Sequence, residues 1–288
     1  MLGSRVLREF TAGEVPTIAL SRTSGFDVSK TESARQTLDG LNLSETDLLV
    51  NCVGWIPQKS SGDYIFDALA SIHANSILPN ILEDVSQRTG ASVIQILTDC
   101  VFRGDRGSYS EQDVPDADDL YGLTKRLGEH SLELTMGIRC SIVGFASPSG
   151  SSLFDWFLKQ PSGSKVKGYV NHLWNGVSTK AFAQMTLGVF RSGQFISGKH
   201  HWIPSDFQSK YQMLKQLRVS AKRTDLELSP HEDSKNVNRT LISLSPEISQ
   251  KLWRLAGYAE VPTIFDLISE LVAEEDLSEA KGTNGSQN

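Results

Sequence analysis

The chain has 288 residues, 39% hydrophobic and 22% charged, which suits one large domain, or one domain with a smaller lobe, built around a compact core. A net charge of −6 with scattered basic residues gives no field for gathering nucleic acid or an anionic membrane surface, so polyanion binding is disfavoured. The first residues have no signal-peptide pattern, no apolar run nears the roughly 20 residues that span a bilayer, and Cys52, Cys100 and Cys140 form no C-x-x-C pair, so a soluble cytoplasmic protein with reduced, buried thiols is expected.

In chain order, "MLGSRVLREF" sets Leu2, Val6, Leu7 and Phe10 at helical spacing, an apolar face in want of a partner. The runs "VPTIALS", "DLLVNCVGW", "SVIQILTDCVF" and "GIRCSIVGF" then read as strands separated by helical patterns. That alternation predicts an α/β fold with a doubly wound parallel sheet and helices on both faces. "YIFDALASIHANSILPNILEDVSQRTG" is the clearest helix, stopped by its final glycine and kinked or divided by its proline. Beyond Phe145 the pattern loosens: "ASPSGSS" reads as a loop, "SPHEDSKN" as a surface connection, and "AEEDLSEAKGTNGSQN" as a disordered tail.

The chemistry concentrates in "ILTDCVFRGDRGSYSEQDVPDADDLYGLTKRLGEH". Thr98 closes an apolar strand at the carboxyl edge, where open parallel sheets bind ligands. Tyr121 and Lys125, four apart on the next predicted helix, share a face. A neighbouring ammonium favours the phenolate and draws a tyrosine toward neutral-pH proton transfer, while Thr98 holds a substrate oxygen beside the phenol. Taken alone, a Tyr-x-x-x-Lys pair also fits an ordinary solvated helix face.

Two linked motifs decide the matter: Leu97-Thr98-Asp99-Cys100-Val101-Phe102-Arg103-Gly104 and Tyr121-Gly122-Leu123-Thr124-Lys125-Arg126-Leu127-Gly128-Glu129. Together they resemble the extended short-chain dehydrogenase/reductase superfamily, and within it the dTDP-4-dehydrorhamnose reductases. The resemblance implies a Rossmann-like NAD(P)-binding region over 1–145, to which some later segments return, a mainly substrate-binding lobe over 146–272, and the disordered tail over 273–288. It implies reduction of a 4-keto nucleotide sugar by NADPH, with NAD as the less favoured cofactor and no metal. Tyr121 is then the acid/base, Thr98 orients the carbonyl, and Lys125 binds the ribose and tunes Tyr121. Asn51, Val53 and Gly54 match the family's turn after a strand, and Asn75 matches an asparagine of the long helix. Arg22, at the end of the "PTIALSR" strand, suits the 2′-phosphate of NADP, and Asp27 lies near the adenine. His172, Trp174 and Asn175 lie near the sugar, and Arg239 clamps a diphosphate; for His172 and Arg239, structural or solvated roles compete. A homodimer is possible, with no nucleic-acid or membrane partner.

Departures from the family pattern bear on these expectations. Leu97 stands where the motif has serine. Cys100 stands where it has tyrosine, which opens the sugar specificity, although a small buried thiol is the plainer account of that residue. "MLG" matches only the last three residues of the family's Gly-x-x-Gly-x-Leu-Gly loop, with Gly3 as its last glycine. The expectation is that Met1 is internal to a longer protein and that the 288-residue chain binds cofactor poorly. Two other functions stay open: a non-catalytic subunit like the regulatory subunit of methionine adenosyltransferase, and a nucleotide-sugar epimerase or dehydratase. For a dehydratase, Cys100 after Asp99 is the wrong residue.

Overall fold

A computed structural model describes residues 1–129, 132–146 and 152–283. Its first part runs α1 (Leu2–Ala12), α2 (Thr31–Asp39), β1 (Leu48–Asn51), α3 (Tyr64–Ile72), α4 (Leu78–Thr89), β2 (Ser92–Leu97), α5 (Leu120–Gly128) and β3 (Met136–Arg139). There follow β4 (Ile142–Val143), α6 (Leu153–Leu158), β5 (Lys165–Tyr169), β6 (His172–Trp174), β7 (Val177–Ser178), α7 (Thr179–Ser192) and β8 (Gly198–His201). The last part comprises β9 (Gln208–Ser209), α8 (Lys210–Ser220), β10 (Glu227–His231), β11 (Val237–Asn238), α9 (Pro246–Leu255) and α10 (Ile264–Thr283).

Strands β1, β2, β3 and β8 form one parallel sheet in the order β1-β2-β3-β8. The short apolar runs of β1, β2 and β3 are covered on both faces, as parallel strands require. On one face Leu2, Val6 and Phe10 of α1 join Met136, Ile138, Phe182, Met185, Trp202 and Trp253 in the largest core. On the other, Leu78, Ile81, Leu82 and Val85 of α4 pack with Leu38 of α2 and Val93 of β2. The predicted apolar face of α1 is thus buried except for Leu7, which is exposed. Arg5 lies on the buried face instead, held by Glu9 at 2.6 Å and Glu274 at 2.7 Å.

The strand expected over "VPTIALS" is not formed. Residues 15–21 hold no strand, Ile18 is 73% exposed, and among the described residues β1 hydrogen-bonds to β2 alone. A run of β-prone residues becomes a strand only when it hydrogen-bonds to another strand, and residues 15–21 pair with none of the described strands. Arg22 accordingly opens a short 3-10 turn, Arg22–Ser24, rather than ending a strand.

The long predicted helix forms as α3 and α4 joined through a π-helical turn, His73–Ile77, immediately before Pro79, and it ends at Gly90 with φ 78°. A proline cannot donate to the carbonyl four residues earlier, so the register widens there rather than breaking. This turn is the dock for α5. Ser76 Oγ donates to the Thr124 carbonyl at 2.7 Å, and Asn75 Nδ2 donates to Thr124 Oγ1 at 3.2 Å. A Cβ on Gly128 would sit 1.9 Å from the Asn75 carbonyl oxygen, which is why the motif needs glycine at that position.

The later residues build a second core from Phe154, Phe157, Trp174, Met213, Leu217 and Ile268. The first residues of "SPHEDSKN", expected as a surface connection, belong to β10, which pairs in parallel with β5 and presents only a half-covered edge. Residues 273–283, expected to be disordered, continue α10, because their Ala, Glu, Leu and Lys content favours helix. Most of "ASPSGSS" (147–151) and residues 284–288 lie outside the described residues. No described helix is long and apolar enough to cross a membrane.

Candidate active site

Where β1 and β2 end, the chain opens a cleft of about 860 Å³ lined by residues of both cores. Thr98 follows β2 directly and caps the short turn Asp99–Val101, its hydroxyl accepting from Cys100 N at 3.1 Å. Asp119 caps α5 by accepting from Gly122 N at 2.9 Å, which fixes the helix that carries Tyr121 and Lys125. Thr98, Tyr121 and Lys125 all line this cleft.

Asn51 acts one layer behind. It is buried, donates to Gln95 Oε1 at 2.7 Å, and accepts from Val53 N at 3.0 Å, shaping the turn that brings Val53 and Gly54 to the cleft wall. Asn75 then grips that loop, accepting from Trp55 N at 3.0 Å and donating to Trp55 O at 3.1 Å. A Cβ on Gly54 would lie 3.5 Å from Lys125 Nζ, so a longer side chain there would screen the ammonium from the cleft.

Burial sets the charge states. It pulls the Lys125 ammonium down to about 8, against the opposing attraction of Glu129. It also pushes the Tyr121 phenol up, helped by Cys100, while the Thr98 hydroxyl opposes the rise. The expectation that Lys125 draws the phenol down is therefore not met: desolvation outweighs the shared helix face, and the phenol is protonated at neutral pH. The Cys100 thiol, pushed up to about 12 by burial and then by Asp99, is neutral as well.

Of the other expected residues, Gly3, Trp174 and Arg239 line the cleft. Arg239 is anchored by Nε donating to the Phe102 carbonyl at 2.7 Å, and its stem lies where a Gly104 side chain would stand. Arg22, Asp27, His172 and Asn175 do not line it. Asp27 accepts from Ser29 N at 3.0 Å and Ser29 Oγ at 2.8 Å. His172 pairs with Asp233 at 3.0 Å and stacks on Tyr169, and Asn175 exchanges two hydrogen bonds with the Leu241 backbone at 2.7 and 2.9 Å. Lys210, which no sequence motif singles out, also lines the cleft, beside Trp174. Its only signal was a lysine directly after the N-capping Ser209.

A nicotinamide dinucleotide fits these groups. Met1, Leu2 and Gly3 bring the N-terminal end of α1, the positive end of its dipole, to the cleft, where an anion is favoured. Lys59 and Lys125 line the same cleft, and among its described lining residues Asp119 is the only carboxylate.

An open parallel sheet with a Tyr-x-x-x-Lys helix beside the strand ends defines an α/β protein of the extended short-chain dehydrogenase/reductase class. The chain belongs to the family of the RmlD substrate binding domain, whose model matches residues 1–263. Its fold is similar to that of a dTDP-4-dehydrorhamnose reductase from Clostridium acetobutylicum, with TM-score 0.75, 17% identity and 96% of each chain covered. It is equally similar to a dTDP-4-dehydrorhamnose reductase from Bacillus anthracis in complex with NADP, with TM-score 0.75, 16% identity and 95% of each chain covered. A Thermus thermophilus UDP-glucose 4-epimerase in complex with NAD matches with TM-score 0.67 at 13% identity over 95% of this chain and 96% of that one. No curated protein matches in sequence.

Proposed function

We propose that the chain is an NAD(P)-dependent reductase of a 4-keto nucleotide sugar, with NADP preferred. The observation that carries this reading is the convergence of Thr98, Tyr121 and Lys125 on one cleft that Trp174 and Arg239 also wall. The solved relatives, two of them reductases and one carrying NADP, support it. A bound nicotinamide cofactor would supply the hydride. The chain's own work is to orient the carbonyl through the Thr98 hydroxyl and to donate the Tyr121 phenolic proton to the developing alkoxide. Lys125 holds a ribose and stabilises the phenolate left behind. Three cysteines without disulfide partners suit a reducing compartment, and we assign the protein to the cytoplasm. The test follows NADPH and NADH oxidation across a panel of 4-keto nucleotide sugars. Turnover of none of them would favour the binding-subunit alternative.

The state of Lys125 gives a pH dependence. Its ammonium is present below about 8 and lost above it. The kcat/KM for the dinucleotide, which reports the free enzyme, is expected to fall on the alkaline side through a midpoint near 8 rather than near an ordinary lysine's value of about 10.4. Lys125→Arg, charged throughout this range, is expected to remove that limb. A limb unchanged in Lys125→Arg counts against Lys125 as its source.

A different feature supports a homodimer. Helices α3 and α5 pack together, yet Ile65, Phe66 and Leu69 of α3 and Leu123 and Leu127 of α5 are 47–72% exposed. An apolar face of that size is the kind that a second copy covers. Sedimentation should show a dimer, and Leu69→Glu with Leu127→Lys should give a monomer. A wild-type monomer at micromolar concentration defeats this part.

A further inference from the structure

The cationic wall of the cleft holds one group that the proposed reduction does not use. Lys210 is the first residue of α8, where the positive end of the helix dipole disfavours a cation, and Arg239 nearby adds a like charge. Among the described residues its ammonium has neither a hydrogen bond nor an ion pair; it lies over the Trp174 ring, 5.7 Å from Nζ to the centroid. Beyond its Nε bond to Phe102, Arg239 likewise keeps the rest of its guanidinium unpartnered. Buried Asp99 is an acid near both cations. Burial lowers the Lys210 ammonium from its usual value, against the opposing attraction of Asp99.

Position then narrows the ligand. Lys210, Arg239, Cys100 and Tyr121 line the same cleft, and Arg239 is bonded to the Phe102 carbonyl, two residues beyond Cys100. The proton donor and the cation pair thus share one cleft, whose wall at Cys100 is a small side chain where the resembling motif has a bulky tyrosine. A sugar ring in that cleft can present a substituent to the pair, beside the Trp174 face, while its carbonyl faces Tyr121. A neutral hydroxyl there leaves the excess charge uncompensated, whereas a carboxylate satisfies both cations.

We propose that Lys210, seconded by Arg239, is a specificity residue that selects a nucleotide sugar bearing a carboxylate beside the reacting carbon, a nucleotide-linked uronate. This deepens the sugar-nucleotide reading and rests on it. Calorimetric titration of the full chain with UDP-glucuronate, UDP-glucose and UDP, and with the matching dTDP series, tests it in the wild type, Lys210→Met and Lys210→Arg. The wild type should bind the glucuronate form about ten- to hundredfold more tightly than the glucose form, the range of a charge-assisted hydrogen bond. Lys210→Met should lose that preference while keeping its affinity for the bare diphosphate, and Lys210→Arg should restore it in part. Equal binding of the two sugars by the wild type overturns the proposal alone. Equal weakening of the bare diphosphate in Lys210→Met also overturns it, because the anion held is then the diphosphate. Binding of no nucleotide at all overturns the sugar-nucleotide reading as well.

Discussion

Tyr121→Phe is expected to lower kcat for reduction of the sugar nucleotide by about 10²–10⁴-fold, the usual contribution of a positioned proton donor, with a much smaller change in KM. Phenylalanine fills the same space, so the wall formed by Thr98, Cys100 and Asp119 is kept and only the hydroxyl is lost. Because burial keeps the phenol protonated at neutral pH, its role in the reductive direction is that of an acid with its proton in place. Steady-state kinetics of the two proteins, with unfolding midpoints as a control, decide the point. Undiminished turnover would sink the mechanism, and a rise in KM alone would reduce Tyr121 to a binding contact.

Arg139→Met is expected to cost about 3–5 kcal/mol of stability, the cost of leaving a buried charge without its partner. Arg139 is 1% exposed at the end of β3 and pairs through Nη2 with Glu129, itself 2% exposed at the end of α5. Its Nη1 donates to His201 Nε2 at 2.9 Å, and because an arginine only donates, the His201 proton sits on Nδ1, which donates to the Ile242 carbonyl at 2.7 Å. Burial, followed by the Arg139 charge, holds His201 down to about 4, so the imidazole is neutral and the cluster carries one ion pair rather than two competing cations. Urea denaturation measures the loss, and adding Glu129→Leu to Arg139→Met should recover part of it. A loss below about 1 kcal/mol would place the pair among interactions that solvent compensates. Glu129 is also the acid that opposes the deprotonation of Lys125, so this structural pair and the active site share a residue.

The motif residues were legible because each carries a local reason for its identity. Thr98 ends an apolar strand, Tyr121 and Lys125 fall on one helical face, and Gly128 is the small residue that a close helix contact needs. The outward placement of His172 and Asn175 was not legible. Both sit within a few residues of Trp174, and only the pairing of β6 with β11 and the bonds to Asp233 and Leu241 turn them away from the cleft. Arg22 was assigned through a strand that requires a hydrogen-bonding neighbour, and pairing is a long-range property that propensity does not carry.

By itself, the sequence determined the α/β class, the parallel core strands, the helix that carries Tyr121 and Lys125, and the expectation of a reductase-like family. All of these rest on periodicity, on caps such as Asp119, and on motif spacing within a few turns of chain. Only the tertiary structure decided that Lys210, more than 80 positions beyond Lys125, enters the same cleft, that Asn51 supports the site from behind rather than lining it, and that Tyr121 is raised rather than lowered. The physical reason is common to the three. Desolvation and long-range electrostatics depend on which surfaces meet when the sheet and the smaller core close over one another, and no local pattern in the chain encodes that meeting.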